Sequence, residues 1–407
     1  MIKLLIIGHT FPEPTTTAAG SRMMQLISLF QEQGYAITFA STSSESDKSK
    51  DLSIVGVQTE SIELNNPSFD EFISETNPSI VLFDRFITEE QFGWRVTENC
   101  PNALRILDTE DLHFLRKARQ EAIKTANSLE KINLFSETAK RELASIYRCD
   151  LTLIISEYEM ELLQNTFNID ASILQYLPFL VEETTVVNEI KSFEDRNHFI
   201  TIGNLLHQPN VDSVLFLKKE IWPKIRKQLP KAVLHIYGAY APQQILELHS
   251  KKDGFLIKGW AENVSVVMSN AKICLAPLRF GAGLKGKLLD AMIYGTPSVT
   301  TSIGAEGMTG ELPFSGIVSD EIEAIVNASV ELYSNKSKWL QAQQNGKEIL
   351  NKRFRRELFS EEFKARIQSL QQNVSTHRKN NFIGQILQHQ TLQSTKYMSK
   401  WIEEKNK

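Results

Sequence analysis

Short apolar runs alternate with amphipathic stretches along most of the chain. Runs such as KLLIIG, near the amino terminus, and DLTLIISE, near residue 150, have the composition of buried parallel strands, and polar or acidic residues follow each of them. Between them, stretches such as SRMMQLISLFQEQG carry apolar residues at helical spacing and close on a glycine. This alternation of strand and helix predicts an α/β fold built on doubly wound parallel sheets.

A polar, charged segment interrupts the alternation between residues 181 and 198, and a second series of strands begins at HFITIGN. The pattern therefore predicts two tandem Rossmann-like doubly wound domains, residues 1–185 and 193–352, facing each other across a cleft. Ligands of such folds bind at the carboxyl ends of the strands, so the cleft is the expected site. We expect residues 353–375 to form a helix that crosses back to the N-terminal domain.

The last segment, residues 376–407, is predicted to be an amphipathic helical tail. Its apolar residues recur at helical spacing in two clusters: Phe382, Ile383, Ile386, Leu387, Tyr397, Met398, Trp401 and Ile402. Packing on the protein's own surface is the first expectation. The alternative is docking on a membrane surface or on a partner, helped by Lys396 and Lys400.

Composition narrows the class of protein. The chain has 407 residues, 42% of them hydrophobic, and a net charge of −4, which argues against a general nucleic-acid binder. Its three cysteines are far apart and lack C-x-x-C spacing, so neither a zinc site nor a disulfide framework is indicated. The first apolar run is too short for a signal sequence, and no stretch reaches the ~20 apolar residues of a membrane span. We expect a cytoplasmic protein.

The stretch LRFGAGLKGKLLDAM, residues 278–292, contains the pattern G-x-G-x-x-G at Gly281, Gly283 and Gly286. A dinucleotide fingerprint should lie in the first strand–helix turn of its domain. Here the pattern follows the fourth strand of the second series, and the first turns of both domains lack it. The context therefore disfavours an NAD-dependent enzyme.

The same stretch favours another phosphate ligand. Glycines let the backbone approach a ligand closely, and a helix beginning near Leu284 would direct its free N–H groups at an anion. Lys285 and Lys287 add positive charge at that helix end, where a negative ligand would compensate it. Asp290, on nearly the same helix face as Lys287, can accept hydrogen bonds from ribose hydroxyls. These residues predict a nucleoside diphosphate site.

With these residues in view, the sequence resembles the retaining glycosyltransferases of the GT-B fold, specifically their large fourth family, the glycosyl transferases group 1. PLRFGAGLKGKLLDAMIYGTPSVTTSIGAEGM is similar to that family's nucleotide-sugar site, and TIGNLLHQPNVDSVLFLKKEIWPKIRKQLPKAVLHIYG to the start of its C-terminal domain. PTTTAAGSRMMQLISLFQEQGYAITFAS and RILDTEDLHFLRKAR match segments of its N-terminal half. The resemblance covers most of the chain.

The resemblance implies which residues bind the donor, a nucleoside diphosphate sugar. These are Gly20, Ser21 and Arg22 over the phosphates; Gly203, Asn204, His207 and Gly238 on the floor; Gly259 and Trp260 near the base; Gly281, Gly283, Leu284, Lys285 and Lys287 around the diphosphate; and Asp290 at the ribose. It also implies that Glu110, Asp111 and His113 face the sugar and the acceptor as catalytic residues. Transfer would retain the anomeric configuration and use neither a metal nor another cofactor.

Two departures from the family pattern leave alternatives open. Ala282 replaces the first acid of the family's E-x7-E motif, and only His207 supplies a basic group after the TIGN strand. A catalytically silent homologue that acts in binding or assembly, or a nucleotide-sugar epimerase of the same fold, therefore remains possible. A structural role, as a polar residue at the start of a helix, accounts for His113 as well as a role in the cleft does. The acceptor is expected to be a glycan or a lipid-linked saccharide in polysaccharide biosynthesis, with peripheral contact at the inner membrane face.

Overall fold

The computed structural model describes residues 2–125, 132–183, 191–389 and 392–405. Part of the predicted link between the domains, residues 184–190, lies outside the described residues. No helix within those ranges is both long enough and apolar enough to cross a bilayer.

The N-terminal domain is a parallel sheet of seven described strands in the order β3-β2-β1-β4-β5-β6-β7. The strands are β1 (Lys3–Gly8), β2 (Ala36–Ser41), β3 (Gln58–Ser61), β4 (Ile80–Asp84), β5 (Leu104–Asp108), β6 (Leu151–Ile154) and β7 (Leu174–Tyr176). The helices on its two faces are α1 (Ala18–Gln31), α2 (Ser68–Thr76), α3 (Arg85–Asn99), α4 (His113–Lys124), α5 (Glu137–Arg148) and α6 (Glu157–Asn165).

The C-terminal domain repeats the design with six described strands in the order β10-β9-β8-β11-β12-β13, all parallel. The strands are β8 (His198–Ile202), β9 (Leu234–Tyr237), β10 (Phe255–Gly259), β11 (Ala271–Ala276), β12 (Ser298–Thr300) and β13 (Gly316–Val318). The helices are α7 (Gln208–Phe216), α8 (Trp222–Gln228), α9 (Gln243–Leu246), α10 (Val264–Asn270), α11 (Gly286–Ile293), α12 (Ser302–Ala305), α13 (Ile322–Ser334) and α14 (Lys336–Ile349). The predicted fold class, two Rossmann-like α/β domains, is confirmed.

The sheets are buried on both faces, which explains why their strands are nearly continuous apolar runs. In β1, residues 4–7 are all fully buried, and alternate ones face helices on opposite sides of the sheet. Three edge strands escaped the sequence pattern. β3, with the sequence QTES, is exposed at all four positions, while β7 and β13 have only three residues each.

Past α14 the chain returns to the N-terminal domain. Residues 354–356 run beside Val181, which donates its N–H to the Phe354 carbonyl at 2.7 Å and accepts the Arg356 N–H at 3.1 Å. The helix α15 (Ser360–Asn380) then buries Phe363, Ile367 and Leu370 in the N-terminal core. α15 ends at residue 380, five residues beyond the predicted boundary. Two more helices follow, α16 (Phe382–Gln388) and α17 (Leu392–Lys405).

The tail differs from the first expectation. Most of its apolar side chains, including Phe382, Ile386, Tyr397 and Trp401, are about half exposed or more and do not pack on the protein's own surface. α16 is fixed to α5 through its polar side, since Asn381 donates to the Tyr147 carbonyl at 2.7 Å. The apolar side of α16 therefore faces away from the protein.

Candidate active site

One large cavity of about 1040 Å³ lies between the two domains, at the carboxyl ends of both parallel sheets. It is lined by most of the site residues predicted from the sequence. These are Ser21, Glu110, Asp111 and His113 from the N-terminal domain, and Gly203, Asn204, His207, Gly281, Lys285, Lys287 and Asp290 from the C-terminal domain.

Two helix N-termini face each other in this cavity. α1 begins at Ala18 and α11 at Gly286, and both residues line the space. A Cβ atom on Gly286 would lie 2.6 Å from the Ala18 Cβ atom, so only glycine permits this approach of the two helices. Free N–H groups and the positive ends of two helix dipoles therefore meet in one place, which suits an anion.

The two lysines of the glycine-rich stretch lie at the start of α11. The helix begins at Gly286, two residues later than predicted, and Lys285 is its N-cap residue with extended backbone. Lys287 donates to the Asn210 Oδ1 atom at 2.7 Å, and Lys285 to the Ala282 carbonyl at 3.3 Å. Neither ammonium forms an ion pair with any described carboxylate. Burial lowers the pKa of both, that of Lys287 to about 8, and an anionic ligand would favour the protonated, charged form of each.

Asp290, one turn after Gly286, also faces the cavity. Burial raises the pKa of its carboxyl group to about 7. Its side chain makes no hydrogen bond with the described residues. A buried carboxylate with free acceptor capacity is suited to a ligand that brings donors, such as a pair of hydroxyls.

The three acidic and imidazole side chains after β5 lie on the opposite wall. Glu110 has a left-handed backbone, with φ of 61°, and its pKa is raised well above the usual range by burial and then by Asp108. Burial alone would raise the pKa of Asp111, but its ion pair with Arg116 and its nearness to His113 hold it below the usual range. The wall thus holds two adjacent carboxyl groups whose pKa values are shifted in opposite directions.

His113 is held by the protein as well as facing the cavity. Its Nδ1 atom is 3.4 Å from a Glu142 carboxylate oxygen and 3.2 Å from the Asp111 carbonyl, and its ring meets Phe86 edge to face. Across the cavity, burial and then Arg116 lower the pKa of His207 to about 4, so this imidazole is neutral at physiological pH.

Seven predicted donor-binding residues do not line the cavity: Gly20, Arg22, Gly238, Gly259, Trp260, Gly283 and Leu284. The prediction for Arg22 is corrected most clearly. Its guanidinium is buried in an ion pair with Asp108 at 2.8 Å and also donates to the Leu177 carbonyl at 2.7 Å. It fixes β5 to the chain after β7, and it is not free to close over phosphates.

Trp260 lies on the rim, where the two domains touch. Its indole N–H donates to the Thr15 carbonyl at 3.2 Å, and Lys48 lies 4.8 Å from its ring centroid. Tyr240 donates to the Glu13 carboxylate at 2.9 Å beside it. The cavity wall near the predicted base site is instead formed by residues 262–265.

The glycine turn 281–283 is inserted into the N-terminal domain. Gly283 has a left-handed φ of 62°, and a Cβ atom there would lie 2.9 Å from the Asp111 Cβ atom. Ala282, in the place of the family's first acid, is 8% exposed and packs with the N-terminal core. Arg119 of α4 pairs with Glu306 at 2.7 Å and donates to the Gly281 carbonyl at 2.9 Å. These contacts hold the domains closed.

Residues 196–335 match the family model described as glycosyl transferases group 1. Three solved structures of similar fold are sucrose-phosphate synthase from Thermosynechococcus elongatus, a variant of TarM from S. aureus and Anabaena HepE. Their sequence identities are 13%, 11% and 12%, and their TM-scores are 0.68, 0.69 and 0.68. The matches cover 91%, 90% and 91% of this chain and 99%, 99% and 100% of the others. No curated protein matches the chain.

The match to this family is confined to residues 196–335, and the likeness to the solved structures shows that the chain has the GT-B fold. The TarM structure contains UDP and α-GlcNAc-glycerol, and the HepE structure contains UDP and glucose. Among the described residues, no group of three His, Cys, Asp or Glu side chains is placed to hold a metal ion.

The sequence analysis did not predict several polar residues that line this cavity. Arg85, Arg116 and Asn210 all line it. Arg85 follows β4 directly, and Arg116 lies one turn into α4, so their position after strand ends was an available signal. Arg119, Glu159 and Glu306 act between domains, and no local pattern indicates their pairing.

Proposed function

We propose that this chain is a glycosyltransferase, which moves a sugar from a nucleoside diphosphate sugar to a glycan or lipid-linked saccharide, with retention of anomeric configuration. The proposal rests on one observation above the others. Lys285, which is buried, and Lys287, which is half-buried, have no carboxylate partner among the described residues and meet two helix N-termini in a single cavity between the domains. A diphosphate supplies the negative charge that this arrangement lacks.

The donor would lie with its diphosphate at Lys285, Lys287 and the start of α11. Asp290 is placed one turn further along the helix, where it can accept from the ribose hydroxyls. The base would then reach residues 262–265, and the sugar would face Glu110 and Asp111 on the other wall. The positive charge at the diphosphate comes from the chain itself, so the proposal includes no metal or other cofactor.

In the reaction, the bond between the anomeric carbon and the β-phosphate oxygen breaks, and a bond from that carbon to the acceptor oxygen forms. The lysines and the helix N-termini stabilise the charge that develops on the leaving diphosphate. The acceptor's proton leaves to the departing phosphate or to a carboxylate of the facing wall. Retention requires that the acceptor approach the same face of the sugar from which the diphosphate departs.

The domain contacts support a closed reaction space. Arg119 with Glu306 on one side, and Trp260 with Thr15 on the rim, join the two domains around the cavity. Exclusion of water favours transfer to the acceptor over hydrolysis of the donor. A lipid-carried acceptor would bring this cytoplasmic enzyme to the inner membrane face, so peripheral membrane contact is part of the proposal.

The first test is calorimetric binding of UDP, GDP, ADP, their sugar conjugates and NAD(P)H to the wild type and to Lys287→Ala. We expect one nucleoside diphosphate to bind, and Lys287→Ala to weaken it by about 2–3 kcal/mol, as for a lost charge-assisted hydrogen bond. The control is Lys258→Ala, which removes an exposed lysine from β10 in the same domain. It should leave binding unchanged.

Two outcomes would redirect the proposal. Folded protein that binds no nucleoside diphosphate would favour the silent binding or assembly protein. Conversion of the nucleotide sugar in the absence of any acceptor, to a stereoisomer detected by NMR, would favour the epimerase. NMR of the anomeric proton in the transfer product tests retention directly.

A further inference from the structure

The helix α17 is exposed on every side. All of its described side chains, from Ser394 to Lys405, are accessible to solvent. An isolated helix of 14 residues is marginal in water, because few contacts offset the cost of ordering its backbone. A surface that covers one face of α17 would therefore stabilise it.

One face of α17 is apolar and aromatic. Tyr397, Met398, Trp401 and Ile402 follow the spacing i, i+1, i+4, i+5, which places them together on a helix. Their exposed fractions range from 47% to 62%. Exposed apolar side chains in such a cluster mark an interaction surface.

Lysines border this face and lie over its rings. The Lys396 Nζ atom is 5.7 Å from the Tyr397 ring centroid, and the Lys405 Nζ atom is 5.0 Å from that of Trp401. Lys400 lies one turn after Lys396. Aromatic rings with long basic side chains beside them suit the boundary between lipid tails and headgroups.

Charge is segregated into the tail. Six Lys and Arg residues against two Glu residues give residues 376–407 a formal charge of +4, whereas the whole chain carries −4. An anionic lipid surface attracts the tail and repels the acidic remainder of the molecule, which orients the contact. A neutral protein partner would not account for the separation of positive charge in the tail from negative charge in the rest of the chain.

A second apolar surface, Phe382, Ile383 and Ile386 on α16, lies just before α17 in the chain. α16 is held to the N-terminal domain by Asn381 and by Gln388, which donates to the Arg148 carbonyl at 3.0 Å. Any surface that binds α17 is therefore tied to the N-terminal domain through α16.

We propose that the apolar face of α17, with its bordering lysines, docks on an anionic lipid surface and holds the N-terminal domain there. The contact does not require a bound donor. It can therefore be tested separately from sugar transfer: failure to bind lipid would remove the membrane contact from the proposed function and leave sugar transfer standing, and failure to bind a donor would leave the lipid contact standing.

The experiment is co-sedimentation of the full chain with phosphatidylcholine vesicles and with vesicles that also contain phosphatidylglycerol. We expect binding to the anionic vesicles only. Lys396→Ala with Lys400→Ala should lower the partition coefficient about 30-fold, since each lysine near an anionic surface contributes about 1 kcal/mol. Trp401→Ser should lower it at least about tenfold.

The matched control is Trp94→Ser. Trp94 lies on α3 and is 51% exposed, close to the 59% of Trp401, but belongs to another face of the molecule. Binding that survives Trp401→Ser, or falls equally in Trp94→Ser, would overturn the proposal. So would a monomer–dimer equilibrium that Trp401→Ser abolishes while no vesicle binds, since the face would then join two copies of the chain.

Discussion

A carboxylate oxygen of Glu159, on α6 of the N-terminal domain, accepts the N–H of Gly283 in the C-terminal domain at 2.9 Å. The same oxygen accepts the N–H of Leu112 at 2.9 Å. One buried side chain therefore joins the glycine turn of the C-terminal domain to the loop that carries Glu110 and Asp111. The two halves of the candidate site are positioned against each other through this residue.

Replacing Glu159 should weaken that connection. Glu159→Ala leaves two buried N–H groups without an acceptor, at about 1–3 kcal/mol each, whereas Glu159→Gln keeps an acceptor oxygen. We expect a large fall in stability for the alanine variant and a small one for the glutamine variant. Equal thermal unfolding of the two would show that the hydrogen bonds do not matter.

Glu159 should also make stability depend on pH. Burial and then Asp111 raise the pKa of its carboxyl to about 8, above the usual 4.5, so the folded protein keeps a proton that the unfolded chain has lost. The stability it contributes is full below about pH 4.5 and is lost as the pH rises through 8. Subtracting the unfolding free energy of Glu159→Gln across this range isolates the effect. A constant difference between pH 4.5 and 8 would argue against the shift.

The pair Arg119–Glu306 should control domain closure. Both side chains are largely buried, so Arg119→Ala leaves an uncompensated carboxylate and should cost about 3–5 kcal/mol. We expect a larger radius of gyration in solution scattering and weaker donor binding. Adding Glu306→Gln removes the stranded charge and should recover part of the stability. An unchanged radius in both variants would mean that other contacts keep the cleft closed.

Restoring the family's first acid should harm this protein. Ala282 packs with the N-terminal core, and the adjacent turn touches the loop of Glu110 and Asp111. A carboxylate in Ala282→Glu would be buried beside like charges, so we expect lower stability and no gain in activity. Ala282→Gln has the same size without the charge and serves as control. Higher turnover in Ala282→Glu would show that the site lacks that acid.

Donor binding should follow a bell-shaped dependence on pH. A nucleotide sugar needs Asp290 ionised and Lys287 protonated, and their pKa values are about 7 and 8. Affinity should rise as the pH passes 7 and fall as it passes 8. In Asp290→Asn the rising part should disappear, and in Lys287→Arg the fall should move to higher pH, because a guanidinium stays protonated. Calorimetry at several pH values tests both the rise and the fall in affinity.

Glu110 should affect turnover more than binding. Burial and then Asp108 raise the pKa of its carboxyl group, which faces the cavity opposite Lys285 and Lys287, so Glu110→Gln should lower turnover at least about 100-fold, as for loss of a proton-transfer group. Nucleotide affinity should stay unchanged. Glu262→Gln makes the same replacement at the base end of the cavity and should change affinity only. Loss of nucleotide affinity in Glu110→Gln would place the donor differently.

The fold could be predicted from the sequence wherever the burial of a segment determines which residue types it contains. Strands covered on both faces, such as β1 and β11, are apolar at most positions, and their order along the chain indicated two α/β domains. β3 was missed because an exposed edge strand needs no apolar residues. The start of α11 was misplaced because Lys285 lacks the side chain of a usual N-cap.

The candidate site was predictable only in part. Residues at the carboxyl ends of strands necessarily converge on one edge, which brought Asp290 and Glu110 into one cavity. Arg22 was misassigned because its partner, Asp108, lies 86 residues away. Arg119 and Glu306 are 187 residues apart and meet only because of how the two domains are oriented, which no local pattern encodes.

The return of the chain beside Val181 has a mechanical consequence. The polypeptide crosses between the domains twice, and the two crossings are hydrogen-bonded to each other at Val181, Phe354 and Arg356. Two adjacent chain crossings form a hinge. Such a hinge permits rotation of one domain about the axis through both crossings and resists twisting or sliding of the domains against each other. Any relative motion of the two domains should therefore be mainly a rotation about the axis through these two crossings.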